Sequence, residues 1–465
     1  MEQGGSKAIA MIVQIVLARM LEPEDFGVLA ILLVITSVAD SISQSGLGMA
    51  LIQKDDADDD SYSTGFWLSI AISVVLYGTV FIGAPLVGNF YGIAGMTEYL
   101  RVLGVIVLFN AANSIQRSFL QRKMDFRGIC IASVIAVVLS GAIGVLAAYG
   151  GIGVWALVLQ SLSQSVIMCI SMAIIIPWRP SLTFSKSEAA GLFSYGWKIC
   201  ITGILNVLYT GVSELVIGKT CNPGNLGYYS QGRKYPLAAI GVISNAISNV
   251  LFPALSAVKN NMNIFRSDLK RALSVGTFVV APASLLFALT AEPLVAVLLT
   301  EKWLPCVLVF QLACIPNVFL MFQLVNLRAY MALGNSGLYL KLQIIKVTLG
   351  GALICGVAIA TADIYWTAVA TCVAGLVSVL VVDVFPAKRE HGYGALSQIR
   401  DQMPVFLVSI ASLLATSLLP VAGYSYCIQL IVQIAAFVLI YITLSVVFKI
   451  NGLQILCAQL FKRGK

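Results

Sequence analysis

Two cations, Arg233 and Lys234, stand side by side in an otherwise apolar stretch, residues 227–254, that opens on GYYSQGRKYP. A charge inside a segment of membrane-spanning length costs roughly 2.5–3.5 kcal/mol on insertion scales, so it usually faces water and marks function. Arg19, Arg328, Asp40, Glu214 and Asp383 are further charges of this kind. The cations are suited to holding an anion. The carboxylates are candidates for ion or proton coupling, with Asp40, the deepest, first and Glu214 and Asp383 beside it. A polar stripe at helical spacing runs through Ser230, Arg233 or Lys234, Gly241, Ser244, Asn245, Ser248 and Asn249. Its counterpart is Ser37, Asp40, Ser41 and Gln44, where Ser41 aligns with Gly241 and Gln44 with Ser244. Such stripes would face each other across a lobe interface.

Each residue also has a plainer reading. Arg233, Lys234 and Arg19 lie close enough to helix ends to snorkel to the outer headgroups. Asp40 could lock the bundle by a salt bridge or hydrogen bond. Arg328 could pair with Asp383 or anchor at the interface, and Asn245 and Asn249 could join helices.

Other chemistry finds little support. The one histidine, His391, lies in a basic loop, and no nucleophile–base pair offers itself. Ten cysteines are scattered without a CxxC pair, so neither metal nor cofactor is expected and apolar filling is the expected role of most. DDADDD (55–60) lacks the glycine and glutamate of a calcium loop and reads as a solvated cytosolic loop. GVSELVIGKT (211–220) has the wrong glycine spacing for a phosphate loop. The basic runs 117–127 and 259–271 follow from topology, so nucleic acid is not an expected partner.

The elements that must carry these residues are membrane helices. Of 465 residues, 59% are hydrophobic and 11% charged, and mean hydropathy is +0.92. A soluble domain carries roughly 25% charged residues. An all-α polytopic membrane protein follows, with about fourteen spans when apolar windows of about 20 residues are counted. They fall at 4–20, 27–49, 63–86, 101–119, 128–149, 153–177, 198–218, 227–254, 272–299, 306–333, 338–361, 364–386, 403–422 and 426–448. The apolar run at the start shows no cleavage site. With the N-terminus in the cytosol, Arg19, Arg101, Lys219 and Lys302 fall at outer ends and Arg233, Lys234 and Arg328 within spans. The rest of the 29 lysines and arginines, Lys346 among them, sort to cytosolic ends, as the positive-inside rule requires. Both termini are then cytosolic, and no loop is long enough to hold a soluble catalytic domain.

One hinge is written twice. LEPEDFG (21–27) and CNPGNLG (221–227) align Pro23 with Pro223, Asp25 with Asn225 and Gly27 with Gly227, each between two spans. Proline ends one helix, Asp or Asn caps the next and glycine permits a tight entry. A second echo aligns 109–126 with 322–339, matching Phe109 to Phe322, Asn113 to Asn326 and Leu120 to Leu333. Two six-helix pseudo-symmetric lobes, 1–190 and 191–402, are therefore expected, followed by two additional helices and a basic cytosolic tail, 403–465. Paired bundles of this kind are built for alternating access.

LARMLEPEDFGVLAI (17–31), SGLGMALIQKDD (45–56), FLQRKMDFR (119–127), LGYYSQGRKYPLAAI (226–240) and VLFPALS (250–256) resemble Wzx-type flippases of polysaccharide biosynthesis. These form a branch of the multidrug/oligosaccharidyl-lipid/polysaccharide exporter superfamily. The resemblance implies a non-enzymatic flippase in the bacterial inner membrane that moves undecaprenyl-pyrophosphate-linked oligosaccharide to the outer leaflet. It also implies membrane lipids, the polysaccharide polymerase and chain-length machinery as partners. With that substrate, Arg233 is the expected main pyrophosphate ligand, because its planar fork pairs with phosphate oxygens. Lys234, Arg19 and Arg328 assist, and Gln44, Ser244, Asn245 and Asn249 would meet sugar hydroxyls. A cation-coupled multidrug extruder and a non-transporting membrane scaffold are the competing functions. The Arg233–Lys234 pair speaks against an extruder, and the polar stripes speak against a scaffold.

Overall fold

In a computed structural model the described chain is helical, joined by short turns. The structure describes residues 2–44, 46–53, 58–421 and 423–463, except the side chains at 2–4, 53, 195, 196, 198, 199, 249, 336 and 459–463. Among the described residues, twelve helices are long and apolar enough to cross a membrane, or thirteen if one bent pair counts as a span. A 19-residue helix, Glu2–Met20, occupies the place of the first expected span but does not enter that count. By packing, the chain divides into Met1–Gly227 and Tyr228–Lys465.

The first unit holds α1 (Glu2–Met20), α2 (Pro23–Gln44), α3 (Leu47–Gln53), α4 (Asp59–Tyr91), α5 (Met96–Leu103), α6 (Ile106–Arg122), α7 (Phe126–Tyr149), α8 (Val154–Ile175), α9 (Lys186–Thr220) and the first turn of α10 (Pro223–Ala257). Its start signals are those the sequence carries: Asp58, Asp125 and Ser185 each accept a main-chain N–H of the first turn of α4, α7 and α9. Leu47, Leu51, Ile115, Phe119, Ala132, Met172 and Trp178 form a buried core among α3, α6, α7 and α8. Helix α9 packs on α2, α3 and α4. The acidic run 55–60 falls partly outside the described residues.

The repeated hinge has a reciprocal geometry within this unit. A Cβ built on Gly27 would lie 1.9 Å from the Pro223 carbonyl oxygen, and one on Gly227 would lie 1.8 Å from that of Pro23. The two helix entries therefore touch backbone to backbone, which only glycine allows. The caps differ from the expected Asp25–Asn225 equivalence. Asp25 Oδ2 accepts the main-chain N–H of Glu22 at 3.0 Å, whereas Asn222 Oδ1 accepts that of Asn225 at 2.7 Å. These are the two halves of a capping box, and each entry uses one.

The second unit continues through α10 into α11 (Met262–Leu289), α12 (Ala291–Leu299), a 3-10 turn (Glu301–Cys306), α13 (Val307–Val318), α14 (Leu320–Ala332), α15 (Ser336–Thr361) and α16 (Ile364–Val377). A π-helix (Ser378–Val382), α17 (Ala387–His391), α18 (Ala395–Ser417), α19 (Tyr426–Val447) and α20 (Asn451–Arg463) complete it. The expected span 272–299 is corrected to 262–289: the chain breaks at Thr290, and Pro293 falls in the first turn of the next helix, where a missing N–H is tolerated. Pro316 likewise ends α13, and α14 leaves it at 45°. Phe265, Leu269, Leu273, Met321, Phe322 and Val325 form the main core here. A smaller cluster, Phe278, Val405, Val408, Phe437, Tyr441 and Ile450, seats α18 and α19 on α11.

Candidate functional site

In the second unit α10 is the element that carries the cations. Gly232 lies against the start of α13: a Cβ there would be 2.8 Å from the Cys306 carbonyl oxygen and 2.9 Å from Val309 Cβ. That contact fixes α10, and the next residue, Arg233, is turned away from it by about 100° of helix. The Arg233 guanidinium lies 5.3 Å from the centre of the Tyr229 ring and donates to the Tyr229 hydroxyl at 3.4 Å. That hydroxyl in turn shares a hydrogen bond of 2.9 Å with Thr371 on α16. Arg233 is half-buried and Lys234 exposed.

Four turns further along α10, Ser248 receives a hydrogen bond from Arg328 Nε at 2.6 Å. The stripe residue and the cation on α14 are thus brought together, although the sequence ties Arg328 only to Asp383 or the interface. Fifteen residues of helix separate the two arginine stations, about 22 Å at 1.5 Å per residue. Between them, Ser244 is buried with no hydrogen-bond partner on its hydroxyl, and Asn245 is exposed. The side chain of Asn249 lies outside the described residues.

Asp383 is not paired with Arg328. It is fully buried and holds Lys346, 5% exposed, whose Nζ lies 3.1 Å from Oδ1 and 3.2 Å from Oδ2. Gln323 donates to Oδ2 at 2.9 Å, and the Tyr330 hydroxyl donates to the Asp383 carbonyl at 2.8 Å. Lys346 is therefore no cytosolic-end lysine. It sits ten residues inside α15, where the carboxylate compensates its charge. His391 is corrected as well: it is 1% exposed, and its Nε2 is 3.1 Å from Asn326 Oδ1. Asn326 and Gln398 exchange hydrogen bonds of 2.9 and 3.0 Å. The sequence signal for this network was the Asn113/Asn326 echo, since Asn113 is also buried and donates across its own unit, to the Ser165 carbonyl on α8 at 3.1 Å.

In the first unit Asp40, half-buried on α2, accepts a hydrogen bond from Asn110 of α6 at 2.7 Å on Oδ2. Its Oδ1 is shielded and has no hydrogen-bond partner. Asn110 was missed by sequence reasoning, which had no means of pairing α2 with α6. Gln44 is exposed near the end of α2, Arg19 is exposed in the last turn of α1 and Glu214 is half-buried in α9.

Residues 16–308 match the family model described as polysaccharide biosynthesis protein. The succinoglycan biosynthesis transport protein ExoT of Rhizobium meliloti (strain 1021) is 24% identical over 288 residues, 62% of this chain and 58% of that protein. The lipopolysaccharide biosynthesis protein WzxC of Escherichia coli (strain K12) is 23% identical over 313 residues, 66% of this chain and 63% of that protein. The matches thus span about three fifths of these relatives' own length. The lipid II flippase MurJ in an inward closed conformation shares the fold, with a TM-score of 0.77 at 16% identity, covering 96% of this chain and 97% of that one. ExoT is named a transport protein and MurJ a flippase. A multi-pass membrane protein with this fold and this match, the chain belongs to the polysaccharide biosynthesis protein family, as its resemblance to Wzx-type flippases anticipates.

Proposed function

We propose that the protein flips undecaprenyl-pyrophosphate-linked oligosaccharide from the cytosolic to the outer leaflet of a bacterial inner membrane by alternating access. The observation that carries this reading is the pair of arginine stations served by α10, Arg233 beside Tyr229 and Arg328 beside Ser248. A pyrophosphate needs charge-assisted donors wherever it pauses in a low-dielectric path. Two such points about 22 Å apart suit a hydrocarbon core about 30 Å thick. Ser244 and Asn245 between them supply groups for sugar hydroxyls, and Asn249 and, in the first unit, Gln44 are proposed for the same role. Lys234 and Arg19 add positive charge nearer the outer side. Asp40, with one oxygen uncommitted, is the carboxylate best suited to take up the coupling ion or proton, and Glu214 is a second candidate. The polymerase and chain-length machinery would act on the product, and both termini would lie in the cytosol. The names of the relatives support a surface-polysaccharide setting.

The test is reconstitution in liposomes with a short-chain lipid-linked oligosaccharide, its arrival in the outer leaflet read by a sugar-modifying probe. Native protein should expose the sugar. Failure across several oligosaccharides, together with export of cationic dyes down a sodium or proton gradient, would replace this reading with a multidrug extruder.

A further inference from the structure

We propose that Lys346 occupies a built-in monovalent-cation site around Asp383, so that this part of the second unit carries its cation on its own chain and exchanges none with solution. The inference is independent of the transported substrate.

The geometry is that of an ion site with the ion replaced. The Lys346 ammonium sits astride both carboxylate oxygens, at 3.1 and 3.2 Å, in a place where Asp383 is 0% and Lys346 5% exposed. The remaining neighbours are polar and fixed. Gln323 bonds the carboxylate at 2.9 Å, the Ser378 side chain is buried, and Tyr330 holds the Asp383 carbonyl at 2.8 Å. The helices are interrupted on both sides of the pair. A π-helix, Ser378–Val382, ends with the Asp383 N–H bonded to the Ser378 carbonyl at 3.0 Å. One turn earlier, a Cβ on Gly375 would lie 3.0 Å from Pro316, at the end of α13 where the chain bends by 45°. Discontinuous helices are where transporters place small ions, and π-bulges gather at functional sites.

Stability alone does not call for such a pair, because well-packed apolar residues of the same volume are commonly as good or better. What the arrangement requires is a negative carboxylate held at an interrupted helix, with a positive charge always present. A lysine on a four-carbon stem provides a compact ammonium there, whatever the salt outside.

The prediction is that removing the ammonium opens the site to a free cation. The experiment uses the purified full chain in detergent, in an Asp40→Asn/Glu214→Gln background that removes the other candidate carboxylates. Thermal unfolding is followed in KCl, in NaCl and in N-methylglucamine chloride at equal ionic strength. With Lys346 present the midpoint should be the same in all three. Lys346→Met should lower it and make it rise again with potassium or sodium, by mass action, and the added Asp383→Asn should abolish that rise. If Lys346→Met is too unstable to purify routinely, recovery becomes the readout. Folded protein obtained in KCl or NaCl but not in N-methylglucamine supports the proposal. Recovery in no salt, while Lys346→Met/Asp383→Asn is recovered normally, overturns it. A Lys346→Met midpoint indifferent to the cation overturns it too, as does cation-dependent stability that is present with Lys346 intact and lost with Asp383→Asn.

Discussion

Asp40 in the first unit and Asp383 in the second are both carboxylates among apolar helices, and they are provided for in opposite ways. Asp383 is sealed, ion-paired and braced by an amide. Asp40 is half-buried and takes one hydrogen bond, from the neutral amide of Asn110. A buried charge without compensation is costly, and a group in that position relieves the cost by taking up a proton or a cation. A charge already neutralised by a neighbour has no reason to do so. The same residue type in the same solvent is therefore suited to the proposed coupling in one unit and held as a compensated charge in the other. The difference lies in what α15 and α6 place beside it: a lysine in one case, an asparagine in the other.

In the first unit the two helix entries gain close packing through glycine. The largest effect is expected there. Gly27→Val or Gly227→Val would drive a side chain into a carbonyl oxygen already within 2 Å of the Cβ position. Several kcal/mol of destabilisation is expected, above about 4, the range reserved for gross steric or burial faults. Near-native unfolding midpoints for both variants in detergent would show that the helix entries are not in contact.

Asp383→Asn comes next. It strands a buried ammonium, which typically costs about 3–5 kcal/mol, and Lys346→Met/Asp383→Asn should recover most of that loss. Equal destabilisation by the single and double changes would mean that charge compensation is not what the pair provides. Asp40→Asn should be the mildest in stability, within about 1 kcal/mol, since the amide oxygen still accepts from Asn110. Its transport, however, should no longer respond to an imposed ion or proton gradient. A gradient response that survives Asp40→Asn and disappears in the stable double variant would reverse the assignment of the two carboxylates.

The span pattern was legible because hydropathy over 20 residues is a strong signal, and each of the expected spans has a helix in place. Its errors have local causes. Window averaging carried 272–299 across Thr290, since the residues on both sides of that break are apolar. Lys346 was grouped with Lys341 because charge sorting reads distance along the chain, whereas its partner lies 37 residues away on another element. His391 looked like part of a basic loop for the same reason: nothing in KREHG announces Asn326 as its neighbour. The repeated hinge was visible as a pattern, but its meaning as a reciprocal glycine contact needed three dimensions. The stripe on α10 was legible from helical spacing alone. That Ser248 would meet Arg328 was not, because the bend at Pro316 sets where α14 presents its arginine.

The most direct test of the account is the rate at which Arg233→Ala moves a pyrophosphate-linked oligosaccharide across a reconstituted bilayer. A charge-assisted hydrogen bond contributes about 1.5–3 kcal/mol, so the rate should fall on the order of 10- to 100-fold. Arg233→Lys should recover part of it and unfolding should be little changed. An Arg233→Ala protein that flips the lipid at the native rate would contradict the assignment of this arginine to the phosphate path.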